Sequence, residues 1–279
     1  MQSKHNNCDK PALIKPIKMS GLEPPIHVNS QPSPQLLDAL FEHIQTAWSF
    51  LGTTEPHWSV ISHQNFSQKN IDAHQHEFYQ SGQKDVSLIQ ACLQRNQIDS
   101  SLLNSCLEYG CGVGRVTRWL AGQFSTIHAC DISLSHLQLA TDYLDKKAIH
   151  NVNLIHIESI EIVDHLPKVD LIYSALVLQH NPPPIIEILI EKLLKALNTG
   201  GIAIFQVPTY RANYSFETEK YLQQQAGINT IEMHLLPQQR IFEIIHQQQA
   251  TLLEIFEDHR AGSLDKQRSN TFVVQNNQS

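Results

Sequence analysis

The sequence predicts an α/β protein built on a seven-stranded, mostly parallel sheet with an antiparallel terminal hairpin, preceded by an N-terminal helical cap. Three observations predict this fold. From about residue 101 of the 279-residue chain, short apolar runs alternate with amphipathic stretches, which is typical of parallel strands joined by helices. The last two apolar runs are joined by a polar loop too short for a crossover helix, which indicates a hairpin. Before residue 100, apolar residues recur at helical spacing instead.

The N-terminal third divides into an arm and a group of helices. Residues 1–34 are polar and rich in proline, which lacks an amide donor, so we expect an extended or disordered arm. Apolar residues from Leu36 to Leu51 predict a helix starting near Pro34, and the stretch LGTTEPHWSVIS should break it. Two further helices are expected over residues 68–80 and 85–95. Residues 35–99 would then cap a domain formed by residues 100–279.

The sheet region shows seven apolar runs with helical patterns between them. The predicted strands are 106–109, 127–130, 153–157, 170–175, 202–207, 252–256 and 271–274. The predicted helices are 116–124, 134–147, 185–197 and 238–248. The glycines of NTGG are expected to end the third of these helices.

Composition argues against several classes of partner. The formal net charge is −7 and no basic cluster with interleaved aromatic residues occurs, so we expect no nucleic-acid partner. The chain shows no secretion signal and no apolar run of membrane-spanning length, so we expect a cytoplasmic protein without a membrane partner. Its five scattered cysteines suit reduced thiols. The densest histidine group, Asp72, His74 and His76, lacks metal-site spacing, and we expect no metal.

The stretch LEYGCGVGRVTRWLAG places three glycines where a predicted buried strand turns into a helix. Gly110, Gly112 and Gly114 allow positive φ angles and the close approach of a ligand, and the following helix offers unpaired amides to negative charge. Asp131 ends the next predicted strand, 21 residues after Gly110, where a carboxylate can accept both hydroxyls of an adenosine ribose. NAD and S-adenosylmethionine both carry that ribose. The glycine spacing is one residue shorter than the dinucleotide motif, which disfavours a nicotinamide dehydrogenase.

LEYGCGVGRVTRWL followed by ACDIS resembles the class I S-adenosylmethionine-dependent methyltransferases, in their E/D-x-G-x-G-x-G form, over about residues 100–275. VDLIYSALVLQHNPPP, LNTGGIAIFQVPTY, EMHLLPQQRIFEII, PHWSVI and HEFYQSG are similar to segments of a subgroup that acts on small molecules. The resemblance implies a Rossmann-like fold, S-adenosylmethionine as cofactor, and methyl transfer to an oxygen or nitrogen of a small-molecule acceptor, such as a sugar or glycan-related metabolite. A non-catalytic S-adenosylmethionine-binding regulator or scaffold is the alternative.

The resemblance also implies cofactor-binding positions around each part of the cofactor. Those at the methionine part are Glu108, Gly110, Cys111, Gly112 and Gly114. Those at the ribose and adenine are Asp131, Ile132, Glu158 and Ser159. Those flanking the sulfonium are Ser174 and Gln179.

Three residues are candidates for catalysis. A sulfonium methyl is already activated, so a general base matters only for an acceptor that arrives protonated. His180 follows the fourth predicted strand, where an imidazole with a pKa near neutrality could accept a proton; it could instead cap a helix or bind backbone. His234 is the second candidate. Tyr79, with Trp58, could form an aromatic lid, or could pack in the core.

The acceptor is expected to enter between the cap and two loops, at residues 179–184 and 208–216. The second loop, PTYRANYSF, is rich in tyrosine. Its aromatic faces would stack on a sugar or an aromatic acceptor, and Arg211 would face an anionic group.

Overall fold

A computed structural model of the protein describes residues 26–29, 32–224, 230–261 and 267–277. The strands in these ranges are β1 His27–Val28, β2 Ser105–Tyr109, β3 Thr126–Asp131, β4 Val152–His156, β5 Val169–Ser174, β6 Leu197–Arg211, β7 Ser215–Phe216, β8 Thr251–Glu257 and β9 Gln267–Gln275. The α-helices are α1 Pro34–Thr54, α2 Pro56–Val60, α3 Ile71–Ser81, α4 Gln83–Arg95, α5 Thr117–Leu120, α6 Leu134–Lys146, α7 Pro183–Lys195, α8 Thr218–Gln223 and α9 Gln238–Gln247.

The central sheet has seven strands in the order β4-β3-β2-β5-β6-β9-β8. The first five are parallel, and β9 pairs antiparallel with both β6 and β8. The predicted α/β fold with a terminal hairpin is therefore confirmed. The strand order reverses direction between β2 and β5, and in open α/β sheets such a switch point is where ligands bind.

Alternating side chains divide the sheet into two buried faces. Leu107 and Ile172 belong to the apolar cluster that α1, α7 and α9 cover. Cys106 and Leu171 point the other way, into a cluster with α4 and α5. Because side chains alternate along a strand, runs buried on both faces read as continuous apolar stretches, and this is what made the strands visible in the sequence.

The helical cap has its own small core over the glycine turn that follows β2. Phe78 and Tyr79 of α3 pack with Val113 of that turn and with Tyr143 of α6. The predicted arm falls mostly outside the described residues, as does Cys8. Its described part includes β1, which pairs in parallel with β7.

Two predicted boundaries differ from the structure, and a third agrees with it. The stretch LGTTEPHWSVIS breaks the first helix as predicted, because α1 ends at Thr54 and α2 begins at Pro56; the chain bends at Glu55, since a residue before proline disfavours the helical conformation. The glycines of NTGG lie inside β6, and α7 ends at Lys195. The predicted helix over residues 116–124 contains only the four α-helical residues of α5.

Within the described ranges, no helix is both long enough and apolar enough to cross a membrane. The four described cysteines are buried free thiols.

Candidate functional site

The turn between β2 and α5 folds back onto the end of β3. The amides of Gly110 and Cys111 both donate to the carbonyl of Cys130, at N···O distances of 2.8 and 3.0 Å. Gly112 adopts a φ of +54°, which side chains disfavour, and a Cβ atom there would lie 2.6 Å from Cγ2 of Val60. Glycine at position 112 therefore serves two purposes. It permits the positive φ angle of the turn, and it leaves room for the Val60 side chain.

Asp131 ends β3 with its carboxylate turned toward the glycine turn. The amide of Gly112 donates to Oδ2 and the amide of Ser133 donates to Oδ1, each at 2.8 Å. A carboxylate oxygen has more than one acceptor position, so Asp131 retains capacity for a pair of ligand hydroxyls. Main-chain hydrogen bonds thus fix the carboxylate relative to the turn.

His136 links Asp131 to the cap. Its Nδ1 lies 3.5 Å from Asp131 Oδ1, and its Nε2 lies 3.1 Å from the hydroxyl oxygen of Ser59 in α2. Although the side chain is almost fully buried, Nδ1 has no hydrogen-bond partner among the described residues. A buried unpaired nitrogen is costly, so this position has capacity for a polar ligand group.

Glu108 lies beneath the turn and is also buried. The hydroxyl of Thr117 donates to its Oε2 at 2.6 Å. Burial raises the pKa of Glu108 to about 8, although the Thr117 hydrogen bond and the charge of Arg115 both act to lower it. At neutral pH the carboxyl is mostly protonated, and a cation placed beside it would favour its ionised form.

A buried ion network joins the turn to α4 and to the segment after β8. Nη1 of Arg115 lies 2.8 Å from Oδ2 of Asp85, and Nη1 of Arg260 lies 2.8 Å from Oδ1. The hydroxyl of Tyr173 also donates to Oδ1. Burial opposes ionisation of Asp85, but the two guanidinium groups outweigh burial and lower its pKa. Nε of Arg115 is buried without a hydrogen-bond partner in the described chain, which leaves a donor for an anionic group.

These groups line a cavity of about 860 Å³, a volume that includes the solvent at its mouth, at the carboxyl end of the parallel strands. The cap contributes Ile44, Trp48, Ser59 and Val60. The turn region contributes Glu108, Tyr109, Gly110, Cys111, Gly112, Arg115 and Val116. The segments after β3 and β5 contribute, among others, Asp131, Ile132, His136, Leu176, Val177 and His180.

The predicted cofactor-binding residues separate into two groups. Those that line the cavity are Glu108, Gly110, Cys111, Gly112, Asp131 and Ile132. Those that do not line it are Gly114, Glu158, Ser159, Ser174 and Gln179.

Four residues of the second group face other parts of the protein or the solvent. A Cβ on Gly114 would lie 3.5 Å from that of Ala140, so this glycine faces α6. The Glu158 side chain is 70% exposed. Ser174 donates to the carbonyl of Tyr109, and Gln179 accepts from the amide of Gln206.

His180 lines the cavity, but its electrostatic state differs from the prediction. Its Nδ1 donates to the main-chain carbonyl of Glu232 at 2.8 Å, so Nε2 is the acceptor and faces the amide nitrogen of Gln179 at 3.1 Å. Burial lowers its pKa to about 4. The expectation of a pKa near neutrality is therefore wrong, and the imidazole is neutral at pH 7.

The other two catalytic candidates lie outside the cavity lining. Tyr79 is 2% exposed, stacks on Tyr143 with 3.4 Å between ring centroids, and donates to the carbonyl of Val113. It is a packing residue of the cap, so the lid prediction fails for Tyr79. His234 is bonded to Tyr214 and to Glu232, behind His180.

The tyrosine-rich stretch is not an open loop, because β6 continues to Arg211 and β7 follows at once. Nε of Arg211 donates to Gln267, and its guanidinium lies 5.5 Å from the ring centroid of Tyr214. Arg211 and Tyr214 do not line the cavity. The predicted contacts of these two side chains with an acceptor are therefore absent from the cavity that the described residues form.

Among the described residues, no three histidine, cysteine or acidic side chains are close enough together to hold a metal ion. His74 instead lies 3.1 Å from Glu77 on the exposed side of α3.

Sequence reasoning missed the residues that the cap brings to the cavity. Trp48 stood in the sequence only as part of an apolar helical stripe, and Ser59 as part of a predicted break. His136 followed the capping serine of α6 without a signal of its own. All three residues lie on segments that are distant from the glycine turn in sequence and meet it only after folding.

Comparisons with known proteins agree with this geometry. Residues 107–203 match the family model described as a methyltransferase domain. The chain is similar to magnesium protoporphyrin IX methyltransferase from Synechocystis PCC 6803, solved with bound S-adenosylhomocysteine: TM-score 0.54, 18% identity, 83% of this chain and 99% of that chain covered. It is also similar to an S-adenosylmethionine-dependent methyltransferase from Clostridium acetobutylicum: TM-score 0.50, 16% identity, 68% and 89% covered. A search of curated proteins found no match.

The sheet order and the glycine turn give this chain the fold of the S-adenosylmethionine-dependent methyltransferases to which it is similar, and residues 107–203 match the methyltransferase domain model.

Proposed function

We propose that the protein is an S-adenosylmethionine-dependent methyltransferase, which transfers the methyl group of that cofactor to an oxygen or nitrogen of a small-molecule acceptor. The observation that carries this proposal is the cavity in which the glycine turn, Asp131 and His180 meet under the side chains of α1 and α2. The cofactor supplies a methyl group already activated on a sulfonium. The protein then has mainly to hold the acceptor atom in line with that methyl, and positioning of this kind can supply roughly 7–11 kcal/mol of the barrier.

The residues present fit this cofactor. Gly110 and Gly112 leave the main chain bare at the turn, and Asp131 retains acceptor capacity for the ribose hydroxyls. Glu108 is buried, and the methionine ammonium placed beside it would favour its ionised form, whereas the unpaired Nε of Arg115 suits the methionine carboxylate. Ile132 would pack on the adenine. Ser174 and Gln179 would act from behind the lining, since they bond to Tyr109 and Gln206.

We assign residues 35–99 the role of a cap on the domain formed by residues 100–279. Four of its side chains, two from α1 and two from α2, line the cavity. A cap in this position excludes water from the transfer site, which strengthens the electrostatic contacts inside. The hydrogen bond between Ser59 and His136 ties the cap to the Asp131 side of the cavity.

His180 is assigned a positioning role in this scheme. It is neutral, its Nδ1 is fixed by the carbonyl of Glu232, and its lone pair faces Gln179. The acceptor would then reach the transfer site already deprotonated, after losing its proton to bulk water.

Two measurements test the proposal. Calorimetry with S-adenosylmethionine, S-adenosylhomocysteine and NAD should show binding of the first two only, and binding of NAD alone would contradict it. Incubation with methyl-labelled S-adenosylmethionine and pools of small-molecule alcohols and amines should yield labelled product. Cofactor binding without transfer to any pool would instead favour a binding protein.

A further inference from the structure

A second cavity adjoins the first. It lies between α1, α8 and the segment at residues 230–232 and spans about 330 Å³, a volume that includes the solvent at its mouth. Ile44, Trp48 and His180 line both cavities, so the two cavities are neighbours. If the first cavity holds the cofactor, as proposed above, the second is placed to hold the acceptor.

One carboxylate, that of Glu232, lines the second cavity. Its Oε2 accepts hydrogen bonds from the hydroxyl of Tyr221 and from Nε2 of His234. Nδ1 of His234 in turn accepts from the hydroxyl of Tyr214 at 2.9 Å. These bonds engage one carboxylate oxygen, Oε2, and the other, Oε1, lies 3.9 Å from Nε2 of His43.

The described lining of the second cavity contains one acidic side chain, that of Glu232. The Glu232 side chain is 19% exposed, and burial alone would favour its neutral form, but the hydrogen bonds from His234 and Tyr221 outweigh burial and lower its pKa. His180 is neutral. None of the described residues that line the cavity is a lysine or an arginine.

Aromatic rings complete the walls. Trp48 and Tyr221 line the cavity, and the ring of His43 meets that of Tyr221 edge-on at 5.6 Å. An ionised carboxylate beside aromatic faces favours an organic cation, because both the charge and the ring quadrupoles attract it.

We propose that the second cavity binds the acceptor through an amine group, with Glu232 as the residue that selects it. The inference rests on the proposed function and narrows it to nitrogen methylation.

The chemistry of the step agrees with this placement. A protonated amine first loses a proton to water. Its lone pair then forms the nitrogen–carbon bond while the sulfur–methyl bond breaks and its electron pair stays on sulfur, so positive charge moves from sulfur to nitrogen. A fixed carboxylate near the nitrogen stabilises the charge that develops there.

The test uses pairs of probes that differ only in the acceptor group: benzylamine against benzyl alcohol, and benzyltrimethylammonium against neopentylbenzene. Binding to the full chain saturated with S-adenosylhomocysteine is measured by calorimetry. The wild-type protein should prefer each nitrogen probe by about tenfold or more, the scale of a charge-assisted contact. Glu232→Gln should remove most of that preference, whereas Glu219→Gln, which changes an exposed acid of α8, should retain it.

S-adenosylhomocysteine affinity separates the two proposals. If the wild-type protein does not bind S-adenosylhomocysteine, the proposed function fails first. If it binds S-adenosylhomocysteine but shows no nitrogen preference, or binds no nitrogen probe, the amine proposal is overturned. The proposal is also overturned if Glu232→Gln keeps the preference.

His43→Lys is a second variant that places an internal ammonium near Oε1 of Glu232. It should weaken benzylamine binding about tenfold with unchanged S-adenosylhomocysteine affinity, and unchanged benzylamine binding would contradict the proposal.

Discussion

The hydroxyl of Thr117 donates to Oε2 of Glu108 across 2.6 Å, and this pair lies directly under the glycine turn that forms the floor of the cofactor cavity. Thr117 begins α5 and Glu108 is the fourth residue of β2, so one hydrogen bond joins the two ends of the turn. Yet it does not offset the burial of the carboxyl, whose pKa stays at about 8. The carboxyl group of Glu108 beneath the turn is therefore mostly uncharged at neutral pH.

This state of Glu108 predicts a pH-dependent stability. The unfolded chain loses this proton near the ordinary pKa of 4.5 and the folded chain near 8, so between those values the folded state holds the extra proton. Its contribution to stability therefore falls as pH rises through that window. Glu108→Gln should become more stable than wild type by up to a few kcal/mol at pH 8, at roughly 1.4 kcal/mol per pKa unit, and similar to it near pH 4.5.

Urea unfolding at several pH values checks this, with the exposed acid variant Glu219→Gln as control. A stability difference between Glu108→Gln and wild type that stays constant with pH would contradict the raised pKa.

The contact between Gly112 and Val60 predicts a coupled effect. Gly112→Ala places a Cβ 2.6 Å from Val60 Cγ2 in a left-handed conformation, whereas at Gly200, with φ +76°, a Cβ would meet nothing within 4 Å. Gly200→Ala should cost about 1–2 kcal/mol for the backbone alone, and Gly112→Ala should cost more. Adding Val60→Ala should recover part of the excess. Equal losses for the two glycine variants would exclude the cap contact.

The network around Asp85 predicts a large loss of stability. Asp85→Asn leaves Arg115 and Arg260 without their shared carboxylate, and breaking such a buried pair typically costs about 3–5 kcal/mol. Asp72→Asn is the matched control, because Asp72 also lies in the first turn of a cap helix but is exposed. Denaturant unfolding measures both. A loss for Asp85→Asn no larger than that of the control would show that the network contributes little.

The low pKa of His180 predicts the form of the pH–rate profile. A histidine that titrates at about 4 contributes no ionisation between pH 6 and 7.5. The profiles of the wild type and His180→Gln should therefore have the same shape in this range, and the variant should lose turnover at every pH because the wall between the cavities changes. An inflection near pH 6.5 that is present in wild type and absent from the variant would instead assign His180 the role of general base.

Much of the fold was predictable because its signals are local. Strands buried on both faces read as continuous apolar runs, and the spacing from Gly110 to Asp131 follows from one strand, one turn and one short helix. Boundaries failed where tertiary pairing extends an element: β6 begins at Leu197 because Val169 pairs with it, which draws the NTGG glycines into the sheet.

The site was less predictable because burial and charge depend on distant segments. Nothing local distinguishes Tyr79, which packs on Tyr143, from Trp48, which reaches both cavities. The pKa of His180 is low because folding buries its imidazole, although the hydrogen bond to the Glu232 carbonyl acts to raise it. Glu232 is the first residue of the quoted segment EMHLLPQQRIFEII, but only His234 of that segment was a candidate site residue.

The most direct test of the account is the affinity of S-adenosylhomocysteine for Asp131→Ala and Asp131→Asn, measured by calorimetry beside the exposed variant Asp145→Ala. The account predicts a Kd about 10- to 100-fold weaker for Asp131→Ala, an intermediate loss for Asp131→Asn, and no change for Asp145→Ala. An unchanged Kd in a folded Asp131→Ala protein would contradict the placement of the cofactor against this carboxylate.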